Sequence, residues 1–113
     1  MFHKKCNVSI VVPFYNEEEN LPTLISELED VMSGFDYEAI FVDDGSIDGG
    51  AECVKKSREK NRRIKIIQFS DNFGQHAGLA AGLLAARGNV IVTMDADLQN
   101  DPADIPALVD RLS

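Results

Sequence analysis

Two aspartates one residue apart, Asp95 and Asp97, follow an apolar run that extends from Val90 to Met94. The run has the length and β-branched content of a strand, and we expect it to be covered on both faces. Side chains at positions i and i+2 of an extended segment point the same way, so the two carboxylates would face one point with Ala96 turned away. Such a pair repels itself unless a proton or cation intervenes, and Mg²⁺ and Mn²⁺ prefer oxygen ligands. The pair therefore indicates a divalent-metal site, although the same residues could instead cap the next helix.

Four segments of strand length and composition provide a sheet on which these aspartates could lie. They are 7–13, 38–42, 64–69 and 90–94. Helical patterns occupy about 21–32, 48–60 and 75–87 and resume near 104. Asn16 followed by Glu19 resembles a capping box that would start the first helix. The order βαβαβαβα predicts a Rossmann-like α/β fold, mainly a parallel sheet with helices on both faces.

Polar residues follow each predicted strand, at the edge where parallel sheets bind ligands. The four segments are 13–17, 43–46, 70–74 and 95–97. The sequence contains neither Gly-x-Gly-x-x-Gly nor Gly-x-x-x-x-Gly-Lys-Ser/Thr, which argues against a dinucleotide oxidoreductase and a P-loop phosphotransferase. A carboxylate-rich edge with one aromatic ring, Tyr15, suits a nucleotide whose diphosphate is neutralised by a metal ion. These residues predict nucleotide-sugar chemistry.

The composition limits the other function classes. With 113 residues, 44% hydrophobic and 27% charged, the chain fits one globular domain. Its 11 basic and 19 acidic residues give a net charge of −8, which argues against a nucleic-acid-binding surface. Most of the basic residues fall within 55–63, where they could touch an anionic membrane or end a solvated helix. The longest apolar stretch, 77–86, is about half of the roughly 20 residues that a membrane helix requires.

Four motifs, one after each predicted strand, carry a family resemblance. They are Val-Pro-Phe-Tyr-Asn-Glu at 12–17, Val-Asp-Asp-Gly-Ser at 42–46, Asn-Phe-Gly-Gln-His at 72–76 and Asp-Ala-Asp-Leu-Gln at 95–99. In this order they resemble family 2 glycosyltransferases of the GT-A fold. The last motif with Gln75-His76 looks most like the branch that transfers sugars to polyprenyl phosphates, such as dolichol-phosphate mannose synthases and undecaprenyl-phosphate sugar transferases. The resemblance implies that residues 1–113 are the nucleotide-sugar-binding N-terminal part of a catalytic domain, without its acceptor half and any membrane helices, and we expect this part to be inactive in transfer.

The resemblance also implies roles for particular residues. Pro13, Tyr15 and Glu17 would line the nucleoside pocket, Val42 and Asp44 would reach the base, Asp95 and Ala96 would lie near the ribose and diphosphate, and Asp97 with Gln99 would meet Mg²⁺ or Mn²⁺. Asp43 points away from Asp44 by strand alternation, so we expect a structural role for it, with Gly45 and Ser46 as turn and cap residues. Relatives often carry a basic residue at position 71, and Asp71 argues against a phosphate contact there.

The implied reaction moves a sugar from a UDP- or GDP-linked donor to a polyprenyl phosphate at the cytoplasmic face of a membrane. A lipid phosphate is already anionic, so positioning and electrostatics can suffice without a general base. A transferase acting on a saccharide hydroxyl would need such a base. A receiver-type signalling domain also binds Mg²⁺, but its acidic pair follows the first strand, whereas Asp43-Asp44 follows the second. A binding module without catalysis is a further alternative, and an exposed sheet edge could pair two copies as a homodimer.

Overall fold

The computed structural model describes residues 7–112, in which four strands alternate with four α-helices. The strands are β1 (Val8–Phe14), β2 (Tyr37–Asp43), β3 (Ile64–Gln68) and β4 (Val90–Thr93). The helices are α1 (Leu21–Val31), α2 (Gly50–Lys60), α3 (Gln75–Ala85) and α4 (Ile105–Leu112), the last preceded by a 3₁₀ turn at Pro102–Asp104. All three strand pairings are parallel and the strand order is β3-β2-β1-β4. The predicted α/β fold with a parallel sheet is confirmed.

The strand register brings the chain segments that follow β1, β2 and β4 together. Phe14, the last residue of β1, lies opposite Asp43, the last residue of β2. On the other side of β1, Val11 lies opposite Thr93, where β4 ends. Residues that leave the sheet after these three strands therefore emerge side by side, as expected for the carboxyl edge of a parallel sheet.

Helices cover both faces of the sheet, as predicted, but unequally. On one face, α1, α2 and α4 enclose the main core. The core residues of the sheet alternate along each strand and include Val8, Ile10, Val12, Tyr37, Ala39, Phe41, Ile64, Val90 and Val92. On the opposite face α3 packs on β1 and β2, and its Gly78 and Gly82 lie against Val11, Pro13 and Val42. The two glycines let the helix axis approach the sheet closely.

β4 is open on one face, so the prediction of a strand covered on both faces is wrong. Val90 and Val92 are buried, whereas Ile91 is 41% exposed and Thr93 is also exposed. A helix about 10 Å across spans roughly two strands spaced about 4.8 Å apart. Because α3 lies over β1 and β2, it does not shield the edge strand β4.

The predicted capping box at Asn16 is also wrong. Helix α1 begins at Leu21 after Asn20, whose side chain makes no cap hydrogen bond and instead donates to Glu17 Oε1 at 2.9 Å. Pro22 occupies the first turn, where a missing N–H costs nothing. Asn16 lies outside the helix with φ of +54° and bonds to the neighbouring loop.

The basic residues within 55–63 lie at the edge of the sheet opposite to the predicted site. Helix α2 connects β2 to a parallel neighbour, so it runs back along the sheet and ends where the strands begin. Lys56, Arg58 and Lys60 are exposed at that end. A membrane contact there would turn the carboxyl edge of the sheet away from the bilayer. None of the helices within residues 7–112 combines the length and apolarity needed to cross a membrane.

Candidate functional site

A cleft of about 300 Å³ opens at the carboxyl edge of the sheet, among the segments that follow β1, β2 and β4 and the start of α3. Its lining consists of Pro13, Phe14, Tyr15, Glu17, Asp44, Gln75, Asp95, Ala96 and Asp97. The structure thus brings together most of the residues that the sequence singled out. Val42 and Gln99 are not part of the lining, and Phe14 and Gln75 are additions to it.

The loops after β1 and β2 are joined by hydrogen bonds that run in both directions, an arrangement we term the loop clasp. Its bonds are Asn16 N to Ser46 Oγ (2.9 Å), Ile47 N to Asn16 Oδ1 (2.9 Å), Glu18 N to Asp48 Oδ2 (3.1 Å) and Gly49 N to Glu18 Oε1 (3.1 Å). Tyr15 and Glu17 alternate with the clasp residues Asn16 and Glu18. Their backbone is therefore held in place on both sides before any ligand enters.

Substitution of Asn16 is expected to separate two contributions to the clasp. Asn16→Ala removes the acceptor for Ile47 N–H. It also leaves alanine at φ of +54°, a strained conformation that the side-chain hydrogen bond of asparagine offsets in the wild type. We therefore expect a loss of about 1–2 kcal/mol in the free energy of unfolding. Asn16→Gly removes only the hydrogen bond, because glycine tolerates positive φ, and should cost less. Urea unfolding of the two variants measures the difference. Equal losses would contradict a strain contribution at this position.

The two aspartates after β2 have different environments. Asp43 is buried and accepts a 2.8 Å hydrogen bond from Ser46 N, which agrees with a structural role. Asp44 is 5% exposed, and its Oδ1 accepts from Phe73 N at 2.7 Å and Gly74 N at 3.2 Å, while Oδ2 accepts from Gly74 N at 3.1 Å. A carboxylate has about four acceptor positions, so roughly one remains for a ligand.

Gly45 lets the loop after β3 cross directly over the loop after β2. Its φ is +77°, and a Cβ atom there would lie 2.5 Å from Asp71 C and 2.7 Å from Asn72 N. Only glycine fits both the backbone conformation and the space. Asp71 itself is exposed, and its Oδ1 accepts from Asn72 N at 2.8 Å, so this side chain folds back on its own loop.

The segment after β4 presents its two carboxylates as the alternation predicts. Asp95 and Asp97 are exposed and Ala96 between them is 3% exposed. Asp97 Oδ1 accepts from Gln99 N at 3.1 Å, with Leu98 in the left-handed region at φ of +66°. This turn fixes the carboxylate and leaves Asp97 Oδ2 without a protein hydrogen bond among the described residues.

The carboxylate oxygens of this segment suit a divalent cation that takes its remaining ligands from a bound molecule and from water. Within residues 7–112, no group of three or more His, Cys, Asp or Glu side chains could enclose a metal ion. Mg²⁺ in proteins commonly has one or two carboxylates and takes its other ligands from water and substrate phosphates. The free oxygen of Asp97 meets that requirement. Gln99 lines a separate hollow with Asp104 and Leu108, and its role as a metal ligand stays a prediction.

Val42 lies beneath α3 rather than in the cleft. Its side chain is fully buried, 3.8 and 3.3 Å from the positions that Cβ atoms on Gly78 and Gly82 would take. Any contact between Val42 and a base can therefore involve only its main chain. That role also stays a prediction.

The sequence placed Gln75 in a family motif but did not assign it to the cleft, because its position there depends on tertiary structure. It is the first residue of α3, and its Nε2 lies 3.5 Å from Asp95 Oδ1 across the cleft. Within residues 7–112, the lining contains four carboxylates, those of Glu17, Asp44, Asp95 and Asp97, and no lysine, arginine or histidine. The cleft is thus anionic, and an anionic ligand would enter it with a cation.

Comparison with known proteins identifies relatives of the whole described region. The family model "Glycosyl transferase family 2" matches residues 9–113. An undecaprenyl-phosphate 4-deoxy-4-formamido-L-arabinose transferase from Pseudomonas fluorescens (strain SBW25) is 42% identical over an alignment of 107 residues that covers 92% of this chain and 31% of that protein. The chain therefore spans about a third of the length of this curated relative.

Solved structures show the same fold. The mannosyltransferase PcManGT from Pyrobaculum calidifontis, in complex with GDP-Man and Mn²⁺, aligns with a TM-score of 0.77 at 22% identity, covering 96% of this chain and 32% of that one. Residues 1–349 of TarS from S. aureus, in complex with UDP-GlcNAc, align with a TM-score of 0.75 at 28% identity, covering 93% of this chain and 31% of that one.

Proposed function

This chain belongs to glycosyl transferase family 2, and from that membership we propose that its cleft binds the nucleoside diphosphate part of a nucleotide sugar. One observation carries the proposal: Tyr15, Glu17, Asp44, Asp95 and Asp97 come from three separate loops and line a single cleft. The family resemblance predicted these residues by position, and their shared place in the lining supports the proposal.

Each group in the cleft has chemistry suited to one part of such a donor. The Tyr15 ring, 44% exposed, offers a face for the base. Glu17 and the remaining acceptor position of Asp44 suit N–H and hydroxyl donors of the nucleoside. Asp95 and the buried Ala96 would lie beside the ribose and diphosphate. Each of these roles belongs to the proposal.

Asp97, with Gln99 as the second expected ligand, would hold Mg²⁺ or Mn²⁺. The ion would act as a Lewis acid that neutralises negative charge on the leaving diphosphate. The free Oδ2 of Asp97 and the anionic lining support a cation here. The structure of PcManGT is a complex with GDP-Man and Mn²⁺, which is consistent with this choice.

For the longer protein of which this chain would be the donor-binding part, we propose sugar transfer to a polyprenyl phosphate at the cytoplasmic face of a membrane. The 42% identical relative is an undecaprenyl-phosphate sugar transferase, and this similarity supports a polyprenyl phosphate as the acceptor class. An acceptor hydroxyl on a saccharide is the alternative within the same family. Homodimer formation through an exposed sheet edge stays a prediction, and sedimentation of the purified chain would test it.

The donor site can be tested by titrating UDP and GDP into this chain with Mn²⁺ and again with excess EDTA, followed by calorimetry. We expect one of the nucleotides to bind with Mn²⁺ and to lose most of its affinity without it. Asp97→Asn should weaken the metal-dependent binding by about tenfold or more, or about 1.4 kcal/mol, because an amide is a poorer ligand for a hard cation.

Asp110→Asn is the matched control, since it removes the same charge from an exposed position on α4 outside the cleft. Thermal unfolding shows that each variant is folded. If the folded wild-type chain binds neither nucleotide in a metal-dependent way, or if Asp97→Asn behaves like Asp110→Asn, the proposed donor site is wrong.

A further inference from the structure

Gln75 differs in hydrogen-bonding chemistry from the other described residues that line the cleft. Among the described residues of the lining, it is the only one whose side chain carries an N–H donor. Its amide faces Asp95, with Nε2 at 3.5 Å from Oδ1. That distance is at the long limit for a hydrogen bond.

The backbone at Gln75 is fixed by its neighbours. Gly74 precedes the helix with φ of +100°, a conformation that glycine adopts without strain. The Gly74 N–H donates to Asp44, and the Gly74 carbonyl accepts from Gly78 N at 3.2 Å. The start of α3 is thus tied to the residue after β2, so the main chain from which the Gln75 side chain extends is fixed.

Within residues 7–112, in contrast, the Asp95 carboxylate has no other hydrogen-bond partner. Its main-chain N–H donates to Asn100 Oδ1 at 3.0 Å, which positions the backbone but leaves the carboxylate free to rotate. Within the described residues, Gln75 supplies the single hydrogen bond that reaches the Asp95 oxygens. Asp97 differs, because its own turn holds it through Gln99 N.

We propose that Gln75 is a positioning residue of the donor site, which holds Asp95 Oδ1 so that Oδ2 faces the ribose hydroxyls of the nucleotide. This inference rests on the proposed function, in which Asp95 lies beside the ribose. An oriented carboxylate accepts from a hydroxyl without first losing rotational freedom, so the contribution of Gln75 appears in the affinity for the ribose.

The test compares each ribonucleotide with its 2′,3′-dideoxy form. UDP, GDP and their dideoxy analogues are titrated with Mn²⁺ into the wild-type chain and into Gln75→Met, which keeps an unbranched side chain of similar length and removes the amide. For the nucleotide that binds, Gln75→Met should lose about 3- to 10-fold in affinity, the effect of one weakened hydrogen bond to a charged group. The affinity for its dideoxy form should change by less than about twofold.

Two further variants make the comparison specific. Gln75→Ala repeats the measurement if methionine perturbs folding, which thermal unfolding detects. Gln68→Ala removes the same type of side chain from an exposed position at the end of β3 and should change neither affinity.

The outcomes separate this proposal from the donor site itself. Equal losses for the ribose and dideoxy forms, no loss for either, or a wild-type chain that does not distinguish them would overturn the role of Gln75 while the donor site stands. Absence of metal-dependent nucleotide binding in the folded wild type would overturn both.

Discussion

Glu38→Ala is expected to lower the free energy of unfolding by about 2–3 kcal/mol, because it leaves one buried donor and two partly buried donors without an acceptor. The Glu38 carboxylate lies at the start of β2 and accepts from Ser9 Oγ at 2.6 Å, from Arg87 N at 2.7 Å and from Lys65 Nζ at 2.7 Å. Ser9 Oγ in turn accepts from Gly88 N at 2.7 Å. The carboxylate therefore ties the end of α3 to the sheet.

The matched control is Glu52→Ala. Glu52 also pairs with a lysine, Lys55, but at 3.5 Å on an exposed helix surface. Such pairs contribute about 0–1 kcal/mol, so urea unfolding should show little change. A similar loss in both variants would mean that burial and the shared hydrogen bonds of Glu38 contribute nothing beyond the charge pair.

The same contribution should depend on pH. Burial alone would raise the pKa of Glu38. The hydrogen bonds from Lys65, Ser9 and the Arg87 main chain, together with the Lys65 charge, lower it by more than burial raises it. The pKa is therefore below its ordinary value of 4.5. A group whose pKa is lower in the folded state stabilises the fold above the unfolded pKa and loses that contribution as pH falls through the folded value.

We therefore expect the difference in unfolding free energy between wild type and Glu38→Gln to be largest near neutral pH and to shrink below about pH 4.5. Urea unfolding from pH 7 to pH 3 measures this difference. A difference that stays constant or grows on acidification would show that the carboxylate charge is not what stabilises this corner of the fold.

Gly82→Ala is expected to lower the free energy of unfolding by about 2–3 kcal/mol, although alanine is the better helix former. A Cβ atom at this position would overlap Val11 Cγ1 and lie 3.3 Å from Val42 Cγ2, both in the centre of the sheet. Strand side chains packed between neighbours cannot withdraw, so α3 would have to move outward and lose contact along its length.

Gly78→Ala provides a control within the same helix. Its Cβ would lie 3.4 Å from Pro13 Cβ and 3.8 Å from Val42 Cγ1, which are ordinary contacts. Gaining up to about 1 kcal/mol of helix propensity, this variant should match or exceed wild-type stability. Thermal unfolding of the pair checks the prediction, and a loss at Gly78 equal to that at Gly82 would contradict it.

The family membership and the parallel sheet could be read from the sequence because both have local signatures. β-branched runs mark strands wherever they occur, and β2 and β3 were placed to within one residue at each end. The order of strands and helices then puts every strand-end motif on one edge of the sheet. The clustering of Asp44, Asp95 and Asp97 follows from that order alone.

Other features depend on contacts between distant segments, which spacing does not encode. Asn16 and Glu19 match a capping pattern, yet the Asn16 carboxamide bonds to a loop about 30 residues away, as only the tertiary structure reveals. The open face of β4 depends on how many helices cover that side. Gln75 belongs to a family motif and begins a helix after a strand end, and these two signals could have placed it in the site.

Strand β2 holds both ends of α3, and this has a consequence for the helix between them. Asp44, just beyond the strand, accepts from Phe73 N and Gly74 N, while Glu38 near its start accepts from Arg87 N. Gly78 and Gly82, which contact the sheet, have no side chains that could interlock with it. The hydrogen bonds at the two ends therefore determine the position of the helix along its own axis. Inserting or deleting one residue would shift one end by about 1.5 Å and rotate it by about 100°. Helix α3 should therefore accept many changes of exposed residue type but no change of length.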